Sequence, residues 1–252
     1  GLQSIEFNIK RKNKNIHFFE FGNCYSRKEE DKKESDNLSE YKENYRLGLW
    51  ISGNRVENNW AHPDEKTSVY ELKSHIENLL LRLGVNIEKT VWNSFSNDIY
   101  SQGISIVSPS GRLLGTFGMV ERRILNMMDI ENEVYFAEFE WNALMKETEK
   151  HQITFYDIPK FPRAKRDLAL LIDKDVTFAD IKKIALESER KLLKEVILFD
   201  VYEGKNLIPG KKSYAVSFYL QDKEKTLNDK QIETIMSKIQ KNLEEKLGAQ
   251  LR

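Results

Sequence analysis

The chain has 252 residues, with 40 Lys and Arg balanced by 40 Asp and Glu, and a single cysteine, Cys24. This length suits one large domain or two ordinary ones, and the single cysteine excludes an internal disulfide framework and a cysteine-based zinc site, as expected for a reducing, cytoplasmic compartment. No apolar run is long enough to cross a bilayer, and the start lacks both a signal peptide and an initiator methionine, which predicts that the chain begins inside a longer protein.

The first 150 residues alternate between helical and strand-like patterns. A short helix is predicted at residues 1–12 and a strand from Ile16 to Tyr25, followed by the charged run RKEEDKKESD at 27–36, which is predicted to be a solvated loop. Ser68 caps a helix whose apolar residues recur at helical spacing until Gly84. Further strands are predicted at 45–52, 87–92, 104–107, 113–117 and 134–141, with a hairpin turn at 110–111. This pattern predicts an α+β domain with an antiparallel sheet.

A second domain is predicted beyond residue 150, because Pro159 and Pro162 bracket a linker-like stretch after which a new periodicity begins. The predicted domains are therefore 1–150 and 151–252. The second contains, in order, a strand at 167–172, a helix at 178–189, strands at 196–202 and 213–221, a helix at 229–247 and a short final strand. This order is βαββαβ, the ferredoxin-like arrangement.

No catalytic or metal-binding pattern is found in the sequence. The four histidines, at 17, 62, 75 and 151, lie far apart along the chain with no Cys or carboxylate at ligand spacing. Gly115 and Gly118 are too few and wrongly spaced for a phosphate-binding loop, and close backbone packing explains them instead. No serine, histidine and acid set stands in a recognisable catalytic arrangement, so the chain is predicted to have no catalytic residues.

Alternation along the strands of the second domain assigns its side chains to two faces of the sheet. The core face is assigned Tyr214, Val216, Phe218, Leu220, Ile197, Phe199 and Val201. The opposite face, which we call the open face, is assigned Ala169, Asp200, Tyr202 and Ser213. Small residues let RNA bases lie flat on such a surface, and the aromatic ring lets a base stack on it. The carboxylate can accept hydrogen bonds from the Watson-Crick edge of a base. The carboxylate favours guanine, whose N1 and N2 are both donors.

Basic residues are predicted to surround the open face and to hold phosphates: Arg163, Lys165, Arg166, Lys211 and Lys212. Lys and Arg outnumber Asp and Glu by 20 to 16 after residue 150, whereas they are outnumbered by 24 to 20 before it. These features favour RNA binding. The alternative is a ferredoxin-like regulatory or assembly module that binds a small ligand or a protein, in which these residues are ordinary surface charges.

Several ordered motifs resemble the bacterial phenylalanyl-tRNA synthetase β-subunit family across almost the whole chain. In the second domain they are FPRAKRDLALLID, KEVILFDVYEG, IPGKKSYAVSFYLQD, KTLND and LGAQLR, and in the first FFEFGNCY, GNR at 53–55 with Trp60, YELKSHIENLLLRLG, LLGTFG and VYFAEFEW. One departure follows LLGTFG, where this chain has Met-Val-Glu-Arg at 119–122 and the family tends to have Glu-Leu-His-Pro.

The resemblance implies a class II synthetase-like domain without catalytic motifs, which contacts the α subunit, and a ferredoxin-fold domain that binds the anticodon of tRNA-Phe. It implies anticodon contacts at Ala169, Asp200, Tyr202 and Ser213. Neither the arginine-containing ATP motif nor the glycine-rich third motif of class II enzymes is found, and no counterpart of the family's editing site is present. The resemblance therefore implies no cofactor in this part, ATP and magnesium used by the complete enzyme, and an α2β2 heterotetramer.

Overall fold

The computed structural model describes residues 1–27, 41–149, 154–155, 157–204 and 207–251. These residues form two compact units, Gly1–Ile153 and Thr154–Arg252. Most of the predicted solvated loop at 27–36 lies outside the described residues. Among the helices of the described residues, none combines the length and the apolar composition that a membrane span requires.

The first unit is built on a six-stranded antiparallel sheet with the strand order β1-β2-β8-β7-β6-β5. Its elements are α1 (Leu2–Ile9), β1 (Ile16–Arg27), β2 (Tyr41–Ser52), β3 (Asn54–Val56), β4 (Glu65–Lys66), α2 (Val69–Arg82), β5 (Val91–Phe95), β6 (Tyr100–Val107), β7 (Leu113–Val120), α3 (Arg122–Met127), β8 (Val134–Glu140) and α4 (Trp141–Thr148). β3 and β4 pair separately as a small ribbon. The predicted antiparallel α+β architecture is confirmed.

Both faces of this sheet are covered by apolar side chains. On one face, Leu72, Ile76 and Leu80 of α2 are buried in a cluster with Phe117 and Phe139 of the sheet. On the other face, α1 and α3 contribute to a second cluster. Two predicted strand boundaries are wrong, because Ile87–Lys89 forms a 3-10 turn and Trp141 begins α4. None of the three residues of the 3-10 turn is buried, so one apolar residue, Ile87, does not mark the start of a strand.

Close packing explains the glycines of the LLGTFG segment, as predicted. A Cβ added to Gly118 would overlap the backbone carbonyl of Gln102 on the neighbouring strand, and one added to Gly115 would overlap the Phe139 ring. The two glycines therefore allow β7 to lie tightly between its neighbours.

The second unit is a four-stranded antiparallel sheet with two helices. Its elements are β9 (Ala164–Asp173), α5 (Phe178–Ser188), β10 (Leu193–Tyr202), β11 (Lys211–Leu220), α6 (Asp229–Leu247) and β12 (Gln250–Leu251), and the strand order is β10-β11-β9-β12. The predicted βαββαβ arrangement is confirmed.

Both helices of the second unit begin at capping boxes. In α5 the Thr177 side chain accepts from the Asp180 backbone, and the Asp180 carboxylate accepts from Thr177 in return, which holds the pKa of Asp180 below its ordinary value. In α6 the corresponding pair is Asn228 and Gln231. That helix ends at Gly248, whose left-handed conformation (φ 62°) suits glycine.

Candidate nucleic-acid and protein interfaces

A β-bulge in β10 determines which of its side chains reach the open face. Before the bulge, Val196 pairs with Phe218 and Leu198 with Val216, so the even-numbered residues of β10 face the core. The register shifts between Leu198 and Asp200. The extra residue reverses the alternation, so the even-numbered residues beyond it face away from the core.

The bulge makes part of the predicted core assignment wrong. Ile197 pairs with Ser217 and is 36% exposed, and Phe199 is 55% exposed, so neither belongs to the core. Val201 does pair with Tyr214 on the core side, but it lies on an edge strand and remains half exposed. Val196 and Leu198 fill the core in their place.

The four residues predicted for the open face lie together in two neighbouring rows of the sheet. In one row Asp200, Ala215 and Ala169 are paired in order across β10, β11 and β9. In the next row Tyr202 is paired with Ser213. The short side chains of alanine and serine form a shallow surface here, which we call the floor of the open face. A flat ring can approach the backbone closely over this surface. The floor is continued by Ser217, whose Oγ donates to Asp167 Oδ1 at 2.6 Å.

Tyr202 stands at the end of β10 and is partly exposed. The chain turns back over its ring directly afterwards, since a Cβ added to Gly204 would overlap Cζ and Oη of Tyr202. Gly204 therefore leaves room for the tyrosine ring to lie against the backbone. This contact restricts the orientation of the ring, which is 38% exposed.

Asp200 differs from its acidic neighbours on the open face. Asp167 bonds Ser217 and lies near Lys165, and Asp173 pairs with Lys211. Within the described part of the chain, the Asp200 carboxylate makes no hydrogen bond or ion pair. An exposed carboxylate of this kind is a ready acceptor for two donors of a base edge.

Three of the five predicted basic residues lie on the open-face side, and each is paired with a carboxylate. These pairs are Arg163 with Glu195 at 3.2 Å, Lys165 with Asp167 at 3.4 Å and Lys211 with Asp173 at 2.9 Å. Lys165 Nζ also lies 5.4 Å from the centre of the Phe199 ring. Exposed ion pairs contribute roughly 0 to 1 kcal/mol, so phosphates can replace these carboxylates at little cost.

The other two basic residues lie on the opposite side of the sheet, which corrects the prediction for them. Arg166 is opposite Phe218 and bonds Asp229 at the start of α6. Lys212 is only 7% exposed, with its Nζ 4.6 Å from the centre of the Tyr214 ring. Adjacent residues of a strand point to opposite faces, so the dipeptides at 165–166 and 211–212 each supply one cation to the open face.

The first unit exposes an aromatic surface at the edge of its sheet, formed by residues of one face of β1 and β2. We call it the aromatic strip, and its members are Phe19, Phe21, Tyr25, Tyr41 and Tyr45. Phe21 is more buried than Phe19 and packs edge to face on Trp141 of α4, with the two ring centres 4.7 Å apart. Exposed aromatic clusters of this kind are typical of protein interfaces. The predicted strands contain Phe19, Phe21, Tyr25 and Tyr45 but not Tyr41, and no aromatic surface is predicted from the sequence.

Comparison with known proteins defines the class of the second unit first. Residues 159–252 match the family described as ferredoxin-fold anticodon binding domain, so this unit has the fold of that class of domain. Residues 1–141 match the phenylalanyl tRNA synthetase beta chain CLM domain. Because this second match covers more than half of the chain, the chain belongs to the phenylalanyl-tRNA synthetase beta chain family. The resemblance predicted from the motifs is thereby confirmed.

Curated relatives match along the whole chain. It is 55% identical over 252 residues to the phenylalanine–tRNA ligase beta subunit of Bacteroides fragilis, covering 100% of this chain and 31% of the relative. The same protein of Porphyromonas gingivalis is 50% identical over 252 residues, also with 100% and 31% coverage. That of Bacillus subtilis is 31% identical over 251 residues, with 100% and 30% coverage. The chain thus spans about a third of the length of the curated relatives it matches.

Proposed function

We propose that this chain is a non-catalytic part of the phenylalanine-tRNA ligase β subunit, in which residues 1–150 hold the α subunit and residues 151–252 bind the anticodon loop of tRNA-Phe. The observation that carries the proposal is the placing of Asp200 and Tyr202 in adjacent rows over a floor of alanine and serine, within the unit that matches an anticodon-binding family. The chemistry of charging, with ATP and magnesium, takes place on the α subunit of a cytoplasmic α2β2 enzyme.

Base recognition on the open face divides between two side chains. The Tyr202 ring stacks on one unpaired base, and the Asp200 carboxylate accepts from N1 and N2 of the guanine in the GAA anticodon. Arg163, Lys165 and Lys211 contact phosphates along the edges of this surface. The regulatory or assembly alternative gains no support from the family matches, which are to anticodon-binding and synthetase domains.

Replacing Asp200 by alanine is expected to abolish the preference for guanine. A fluorescent tRNA-Phe anticodon hairpin carrying GAA is titrated with the chain at low salt, where phosphate contacts raise the affinity. A second hairpin carries inosine for guanine and lacks only the N2 amino donor. The unaltered chain binds the GAA hairpin more tightly, and Asp200→Ala binds the two about equally, because a hydrogen bond to a charged acceptor contributes roughly 1.5 to 3 kcal/mol.

The matched control is Asp175→Ala, which removes an exposed carboxylate before α5 and leaves the open face intact. It is expected to retain the preference for guanine. Equal binding of both hairpins by the unaltered chain would reduce the open face to a phosphate-binding surface and would contradict base reading by Asp200.

Replacing Phe19 by alanine is expected to weaken binding of the α subunit roughly fivefold, because truncating an aromatic residue that packs against a partner can cost about 1 kcal/mol. Phe19 is the fourth residue of β1 and the most exposed member of the aromatic strip. Isothermal titration of the chain with purified α subunit measures the change. Phe7→Ala removes an exposed ring from α1, outside the strip, and should leave the affinity unaltered. An equal loss in both variants would exclude the strip as the contact surface.

A further inference from the structure

Three side chains with metal-ligating atoms meet at the edge of the first unit. They are His17 of β1 and Glu71 and His75 of α2, and one ligand atom of each lies within 4.8 Å of the others. His17 Nε2 is 3.7 Å from Glu71 Oε1, and the two imidazole rings meet edge to face with their centres 5.7 Å apart. The prediction that no carboxylate stands at ligand spacing from a histidine is therefore wrong for His75, which follows Glu71 by four residues on the same helix.

The fold brings these residues together by two simple routes. Glu71 and His75 are four residues apart on α2, so they share one side of the helix. His17 pairs with Ile51, a residue of the core face on which α2 packs, so its ring points toward the same helix. The sequence separation between His17 and α2 hides this contact from any search for local ligand spacing.

The environment of Glu71 is that of an oriented ligand. Its side chain is only 11% exposed, and Thr67 Oγ1 donates to Oε2 at 2.5 Å, which leaves Oε1 directed toward His17. Hydrogen bonds of this kind to the second oxygen orient the carboxylates that bind metals. The His17 side chain is 46% exposed, so an ion can enter from solvent.

The donor set and its spacing select the metal. Two imidazoles and one carboxylate, with a further position open to water, are a ligand set of zinc enzymes, whereas Mg²⁺ and Ca²⁺ prefer oxygen ligands alone. Zn–N and Zn–O distances of about 2.0 to 2.2 Å place tetrahedral ligand atoms about 3.4 Å apart. The observed 3.7 Å between His17 and Glu71 is close to this value, and small rotations of the exposed imidazoles complete the approach.

We propose that His17, Glu71 and His75 bind one divalent transition-metal ion, Zn²⁺ in preference to Mg²⁺, with water at the remaining position. The bound ion links the first turns of α2 to the edge strand β1. This site lies in the first unit and uses none of the open-face residues, so it stands independently of anticodon binding.

The test is a titration of the full chain, prepared without a histidine tag and stripped with chelator, with Co²⁺ and then with competing Zn²⁺. One equivalent of Co²⁺ is expected to give the visible absorption of a low-symmetry, four- or five-coordinate site, and Zn²⁺ is expected to remove it. His17→Ala, His75→Ala and Glu71→Gln are each expected to lower the affinity tenfold or more. Glu71→Gln retains an acceptor for Thr67, so its effect reports the loss of a ligand charge.

The control is His62→Ala, which removes an exposed histidine elsewhere in the first unit. This variant should bind the metal as the unaltered chain does.

Thermal unfolding followed by circular dichroism supplies a second readout, since an ion that binds only the folded chain raises its melting temperature. Zn²⁺ is expected to raise the melting temperature of the unaltered chain and of His62→Ala, and to leave that of His17→Ala unchanged. Absence of saturable binding by the unaltered chain would overturn the proposal. So would an affinity in His17→Ala and His75→Ala equal to that of the unaltered chain.

Discussion

Alanine in place of Tyr202 weakens binding of the GAA anticodon hairpin about tenfold in the result we expect, because base stacking on an aromatic side chain contributes roughly 1 to 3 kcal/mol per base. The ring lies at the end of β10, over Gly204 and beside Ser213. Its removal leaves the phosphate contacts unchanged. The dependence of affinity on salt concentration should therefore keep its slope while the affinity falls at every salt concentration.

Tyr202→Phe is the control for this measurement, because it keeps the ring and removes only the hydroxyl. It is expected to bind within about twofold of the unaltered chain, since stacking requires the ring alone. Aminoacylation by the reconstituted enzyme should show the same order of variants. Unchanged affinity and charging in Tyr202→Ala would show that no base stacks there.

Alanine in place of Phe218 is expected to destabilise the second unit by about 3 to 5 kcal/mol, the usual range for truncating a buried phenylalanine. Phe218 is fully buried between the sheet and its two helices. All four tryptophans, at 50, 60, 92 and 141, belong to the first unit. Urea unfolding should therefore show an early transition by circular dichroism and an unshifted transition by tryptophan fluorescence.

Phe199→Ala is the matched comparison, since strict alternation predicts a buried ring at this position and the structure exposes it. Its expected cost is within about 0.5 kcal/mol, as for most surface substitutions. A large loss of stability in Phe199→Ala, equal to that of Phe218→Ala, would contradict the bulged register of β10.

Sequence periodicity predicted the second unit well where a single period holds throughout an element. The apolar residues of α6 recur at helical spacing between Asp229 and Leu247. In the structure the helix begins and ends at these same two residues. Alternation also placed Asp200 and Tyr202 correctly, because they lie beyond the bulge. It failed at Ile197 and Phe199, since the four consecutive apolar residues at 196–199 hide the point at which the alternation reverses.

Contacts between distant segments account for the other misses. The carboxylates that pair with the predicted phosphate-binding cations include Asp173 and Asp229. Asp173 lies opposite Lys211 on the neighbouring strand, and Asp229 bonds Arg166 from the start of α6. The meeting of His17 with α2 likewise requires the sheet to be assembled first. Neither the composition nor the local spacing of residues predicts these ion pairs or the approach of His17 to α2, so these contacts are found only in the three-dimensional structure.

The irregularity of β10 also protects the protein from self-association. This strand is an edge of its sheet and exposes Ile197, Phe199 and Val201 in succession. A regular edge with such side chains would accept a strand from another molecule and start aggregation. The register of β10 with β11 shifts between Leu193 and Glu195 and again between Leu198 and Asp200. Such shifts distort a strand and disfavour regular pairing along its free edge. The bulge that turns the Asp200 carboxylate to the open face thus also makes an apolar edge less able to pair with a second copy.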